Sequence, residues 1–212
     1  MTFPIALLLV AAFAAMVAGR LALSPGRGPI PWLTIGFVAA LAIALAAQSL
    51  FPPLRTSFER NAGAIFAGEY YRLFTALWFQ DGGLVGSVFN LVLLGALGPI
   101  AERIWRRRCW LLIYFGAGLT TECIALWWHP IGAGNSIAYM GLAGSILIAS
   151  WAGVRRVPAM MLGTIGLAAG AGLALLQDIH GAALLIGAAI GLVLIRTGHG
   201  QRTRPEAVAP LA

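Results

Sequence analysis

Five polar residues interrupt otherwise apolar stretches of this sequence: Asn90, Glu122, Ser136, Asp178 and His180. In hydrocarbon such side chains are costly unless partnered, which makes them the first place to look for chemistry. Each has an ordinary role when taken alone. A serine in an apolar helix usually bonds back to a carbonyl one turn earlier, and a lone His or Asn often joins two helices. Together, Ser136, His180 and Asn90 offer a hydroxyl, an imidazole and a carboxamide. Those are a nucleophile, a general base and an oxyanion donor, the minimum set for acyl transfer.

Asp178 is a tempting third member, but it lies two residues from His180. Side chains at i and i+2 of a helix do not face each other, so the spacing predicts a Ser136–His180 dyad rather than a triad. Glu122 falls near one end of its apolar run, where a carboxylate is expected to snorkel or to sit protonated. His129, in Trp127-Trp128-His129-Pro130, reads as an interfacial loop residue and His199 as part of the tail. Neither stands near a Cys or carboxylate cluster, so no metal site is expected and no cofactor is called for.

The elements that position these residues follow from composition. The 212 residues are 60% hydrophobic and 10% charged, with mean hydropathy +0.88. A soluble domain carries about 25% charged residues. Water-soluble enzymes, disordered chains and nucleic-acid binders are therefore excluded. What remains is an all-α polytopic membrane protein in contact with the lipid bilayer. Crossing the hydrocarbon core takes about 20 mainly apolar residues. Runs of that kind lie near 2–19, 31–51, 83–101, 109–128, 136–153, 158–176 and 179–196. Prolines 25, 29, 31, 52, 53, 130 and 158 punctuate their ends. Cys109 and Cys123 share the fourth run and stand about 21 Å apart at helical rise, too far to bridge.

All 14 basic residues are arginine and they are unevenly placed. Alternate loops hold eleven (Arg20, Arg27, Arg103, Arg106, Arg107, Arg108, Arg155, Arg156, Arg196, Arg202 and Arg204), against Arg55, Arg60 and Arg72 in the other set. The positive-inside rule then puts the amino terminus outside and the carboxyl terminus in the cytoplasm. Residues 1–30 are expected to form an extra amino-terminal helix and a short cytoplasmic loop, 31–196 a six-helix core, and 197–212 a cytoplasmic tail. The first run is read as an uncleaved helix because its charge, Arg20, follows the apolar stretch rather than preceding it. Residues 52–82 mix prolines, charges and aromatics, as suits an interfacial loop on the outer leaflet. In this topology Ser136 opens the fifth span, His180 lies one residue into the seventh, and Asn90 lies seven residues into the third, all from the outer side. Ser136, Gly141 and Gly144, with Ala183, Gly187 and Gly191, form small-residue seams that let two backbones approach closely.

Over about residues 59–196 the chain resembles the rhomboid intramembrane serine proteases. Gly68-Glu69-Tyr70-Tyr71-Arg72-Leu73-Phe74-Thr75 is similar to the family's first-loop motif, with Tyr71 where Trp is frequent. Asn90 stands at the family's second-core-helix asparagine, and Gly98-Pro99-Ile100-Ala101-Glu102 resembles its Gly-x-x-x-Glu helix end. Gly134-Asn135-Ser136-Ile137-Ala138-Tyr139-Met140-Gly141-Leu142-Ala143-Gly144 follows the nucleophile motif and its glycine spacing. His180-Gly181-Ala182-Ala183-Leu184-Leu185-Ile186-Gly187 follows the last-helix pattern. Three positions depart: Ile137 where the family has Gly, Gly86 where it has His, and Met140 where it has an aromatic, with Tyr139 one position early.

The resemblance implies a six-helix rhomboid-like core and a serine endopeptidase acting on single-span transmembrane proteins near the outer membrane face. Ser136 would be the nucleophile, His180 the base, and Asn90 with the Ser136 amide the oxyanion hole. A multi-pass place in a bacterial inner membrane is expected. The departures at Gly86 and Ile137 motivate a rival, a catalytically weak or inactive relative that binds client transmembrane helices. A small transporter or channel would predict internal repeats or several midplane charges, and the sequence has neither.

Overall fold

In lipid every backbone N–H and C=O must be satisfied within the chain, so each apolar run winds into a helix. The computed structural model describes residues 2–23, 28–153 and 157–198. In chain order the elements are α1 (Thr2–Ala22), α2 (Trp32–Leu50), α3 (Pro53–Phe58), β1 (Arg60–Asn61), α4 (Ala62–Phe66), α5 (Arg72–Thr75), α6 (Gly83–Ile104), α7 (Arg107–Trp128), β2 (Ile131–Gly132), α8 (Ser136–Gly153), α9 (Val157–Leu175) and α10 (Ile179–Arg196). Six of these helices, α1, α2, α6, α7, α9 and α10, are long and apolar enough to cross a membrane. The chain is thus an all-α protein with the helix lengths and composition of a multi-pass membrane protein. Arg27, Arg155, Arg156, His199, Arg202 and Arg204, and the tail beyond Gly198, lie outside the described residues.

The seven apolar runs appear as α1, α2 and α6–α10. The central helix is α8. Residues 137–150 are buried without a break, and α8 packs against α1, α6, α7, α9 and α10. A helix that is apolar all round belongs in a core. Two of its serines are answered inside the bundle: Trp105 Nε1 donates to Ser145 Oγ at 3.0 Å, and Ser150 Oγ bonds back to the Ile146 carbonyl at 2.8 Å.

The amino-terminal helix is less peripheral than its separation in sequence suggests. It lies against α9, α8 and α6, with Ala11, Ala12, Ala14, Ala15 and Ala18 buried and Phe3, Ile5 and Phe13 exposed. On the other flank, α2 is held at its amino-terminal end by a residue of α6. Glu102 accepts from Leu33 N at 3.2 Å, Thr34 N at 2.9 Å and Thr34 Oγ1 at 2.8 Å. A carboxylate at a helix amino terminus answers otherwise orphaned donors and the positive end of the dipole.

The segment expected to be one interfacial loop is ordered into short helices and a two-residue antiparallel ladder, β1 against β2, pairing Arg60 with Gly132. Arg72 holds it together: its Nε reaches Glu69 Oε2 at 2.6 Å and its Nη1 reaches the carbonyls of Thr56 and Glu59. Bonds from Arg72 and from the Tyr71 hydroxyl keep the Glu69 carboxyl below its ordinary pKa.

Candidate active site

Ser136 is the first residue of α8 and His180 the second of α10. Glycines set the distance between those helices. A side chain at Gly144 would collide with the Leu184 carbonyl, and one at Gly187 with the Gly141 carbonyl. The backbones therefore touch, and a side chain as short as serine reaches across: Ser136 Oγ stands 3.0 Å from His180 Nε2. The expected convergence of these two residues is present in the structure.

Asp178 departs from expectation. Helical spacing predicted that it would face away from His180, yet its Oδ1 lies 2.7 Å from His180 Nδ1. The i, i+2 rule fails because Asp178 is not in the helix. It is the N-cap of α10, with extended backbone angles (φ −82°, ψ 125°), and the same oxygen also accepts from His180 N at 2.9 Å. A carboxylate can only accept, so the Nδ1 proton points to Asp178 and the Nε2 lone pair faces the Ser136 hydroxyl. Burial raises the Asp178 carboxyl, but the His180 ring hydrogen bond, its charge and its backbone N–H together outweigh burial, and the net pKa is lowered.

Asn90 sits in α6, where both ends of its carboxamide are engaged. Nδ2 donates to Gln80 Oε1 at 3.0 Å, and Oδ1 accepts from the Tyr139 hydroxyl at 3.1 Å. Gln80 was not singled out from the sequence. It is buried, donates from Nε2 to Asn135 Oδ1 at 2.9 Å, and is gripped through its backbone by Gln48, whose Oε1 accepts from Gln80 N and whose Nε2 donates to its carbonyl. Tyr139, Asn90, Gln80 and Asn135 thus form one directed chain of hydrogen bonds ending beside the serine.

Of the positions that depart from the rhomboid pattern, Ile137 and Met140 are buried in the apolar core. A Cβ at Gly86 would meet nothing within 4 Å.

The loop that delivers Ser136 is clamped from several sides. Gly134 N donates to the Ala76 carbonyl, Ala133 N to Asp81 Oδ2, and Arg60 Nε to the His129 carbonyl. Glu122, expected to snorkel or to sit protonated, does not snorkel. It is fully buried and paired with Arg60 Nη1 at 2.6 Å. A Cβ at Gly132 would stand 2.6 Å from Arg60 Nη2, so a side chain there would displace the guanidinium. His129, expected in an interfacial loop, is exposed, and its Nε2 lies 3.2 Å from the Gln177 carbonyl. Among the described residues no group of three His, Cys, Asp or Glu side chains could hold a metal ion.

The site lies where α8 and α10 begin. Arg20, Arg103 and Arg196 belong to the last turns of α1, α6 and α10, toward the other end of those helices. Comparison of the sequence with protein-family models and with curated proteins finds no match.

Proposed function

We propose that the chain is an intramembrane serine endopeptidase, similar to the rhomboid proteases, that cleaves transmembrane-helix substrates with Ser136 and His180. The observation that carries this is the 3.0 Å contact between Ser136 Oγ and His180 Nε2, made between two closely packed apolar helices. A serine hydroxyl is a weak nucleophile until an adjacent base takes its proton. In the proposed reaction His180 accepts that proton as Oγ bonds to the scissile carbonyl carbon. It then returns the proton to the leaving amine as the C–N bond breaks. Water hydrolyses the ester left on Ser136. The oxyanion would be held by the Ser136 backbone amide and by the second Nδ2 hydrogen of Asn90, the first being given to Gln80.

The test is labelling of membranes with a fluorophosphonate probe. Wild type should be labelled and Ser136→Ala should not; equal labelling of both would end the proposal. The arginine distribution supports a site open to the external side of the membrane, proposed to be a bacterial inner membrane, with the carboxyl terminus in the cytoplasm. A reporter fused after Gln201 that behaves as external would reverse that orientation.

A second reading is a weakly active or inactive relative that binds client helices. It is favoured by the glycine at position 86 and by the double engagement of Asn90. Client capture without cleavage by the wild type would select it.

A further inference from the structure

We infer that Asp178 is a positioning residue of the nucleophilic unit, making it a Ser136–His180–Asp178 triad rather than a dyad. This rests on the proteolytic reading of Ser136 and His180. The contacts run in line, with Ser136 Oγ to His180 Nε2 at 3.0 Å and His180 Nδ1 to Asp178 Oδ1 at 2.7 Å. An ordinary N-cap explains only the bond from His180 N to Asp178. It does not explain why the imidazole folds back onto the same oxygen. That second bond selects the tautomer that leaves Nε2 free to accept from serine, the role of the aspartate in Ser-His-Asp hydrolases.

Asp178 is presented by a left-handed turn that closes α9. Gln177, the residue before it, adopts φ +57°, and among the described residues it alone holds a positive φ without being glycine. Side chains with a Cβ rarely adopt this conformation, and it persists where the surroundings impose it. Here Gln177 N bonds to the Ala174 carbonyl, Asp178 N bonds to the Leu173 carbonyl, and the His129 ring meets the Gln177 carbonyl. The left-handed residue ends α9 and turns the chain so that Asp178 caps α10 from outside its helical repeat. The ionisable groups facing the carboxylate are His180 on its own element and His129 from the loop after α7.

The experiment uses the full chain in proteoliposomes, with the fluorophosphonate probe and a model transmembrane substrate. Asp178→Asn keeps a good N-cap and an oxygen facing Nδ1, but removes the charge that fixes the tautomer and stabilises the imidazolium. It should slow labelling of Ser136 by about 10²–10⁴-fold, lowering kcat with little change in KM. The downfield Nδ1–H proton resonance of His180 should be present in the wild type and move upfield in this variant, because a neutral acceptor makes a weaker bond than a carboxylate. Combined with His180→Ala, the same substitution should cause no further loss of labelling, because a positioning residue acts only through the ring. If Asp178→Asn fails to insert, Asp178→Ser retains the cap and takes its place. A variant labelled within about threefold of wild type, while Ser136→Ala stays unlabelled, overturns the triad and leaves the protease intact. Failure of the wild type to be labelled overturns the protease reading, and the triad with it.

Discussion

Asn90 gives one of its two amide hydrogens to Gln80 Oε1, at 3.0 Å. The bond fixes which way the carboxamide faces, because its oxygen is simultaneously held by the Tyr139 hydroxyl. Only the second hydrogen is left for a substrate oxyanion. Gln80 therefore decides whether Asn90 can serve that role, although the two residues lie on either side of the turn that opens α6.

Loss of Asn90 should consequently be severe. Removing one preorganised donor costs about 10²–10³ in rate, and Gly86 leaves no second side-chain donor one turn earlier. Asn90→Ala should fall at least that far in kcat, and Gln80→Leu by an intermediate amount, since it frees Asn90 to rotate. A Cβ at Gly86 meets open space, so Gly86→His should insert normally and raise kcat. Full turnover by Asn90→Ala in proteoliposomes would remove it from the oxyanion hole.

The buried pair Arg60–Glu122 makes a different prediction, about stability. Both side chains are almost wholly excluded from solvent, and Glu122 Oε1 has no further partner among the described residues. Removing one member of such a pair leaves an uncompensated charge and costs about 3–5 kcal/mol, whereas replacing both with apolar residues is often close to neutral. Arg60→Met and Glu122→Leu should each lower the unfolding midpoint in a detergent titration, and the double variant should recover much of the loss. An additive double variant would show that the two residues act independently.

The long-range character of that pair shows why parts of the site were illegible. The helices were readable because apolar runs ended by proline leave few alternatives in lipid. Ser136 and His180 were readable because both open spans from the same side and are flanked by glycine at helical spacing. Arg60 and Glu122 are 62 residues apart, and nothing local in either stretch announces the other. Gln80 was hidden by its neighbour Asp81, which gives the segment the look of a solvated loop, although Gln80 is buried. Asp178 was misplaced for another reason. A rule for residues within a helix was applied to a cap, whose extended backbone turns its side chain back over the first turn.

Asp178 also carries a pH prediction. Burial raises its carboxyl, but the bonds and charge of His180 outweigh burial and hold it below the ordinary 3.8. A carboxylate with a depressed folded-state pKa contributes stability above its unfolded value and loses it as the pH falls through the folded value. Exchange protection of the first-turn amides of α10 should therefore be constant from neutral pH down to about pH 4, then decline. Asp178→Asn should show no such acid step, since asparagine caps without titrating. An identical acid step in that variant would assign it to another group.

The remaining prediction concerns Ser136 and His180 as a unit. A hydroxyl attacks at neutral pH only if its proton has somewhere to go, and the imidazole 3.0 Å away is the acceptor it touches. A nucleophile and its base act in one step, so their losses should not add. Ser136→Ala and His180→Ala should each abolish cleavage of a model transmembrane substrate, and the double variant should be no slower than either. Folding should survive, because α8 and α10 meet mainly through Gly141, Gly144, Ala183 and Gly187, and alanine suits so narrow a seam. Additive losses would mean that the two side chains contribute separately. Cleavage undiminished in Ser136→Ala would mean that the hydroxyl beside the imidazole is not the nucleophile.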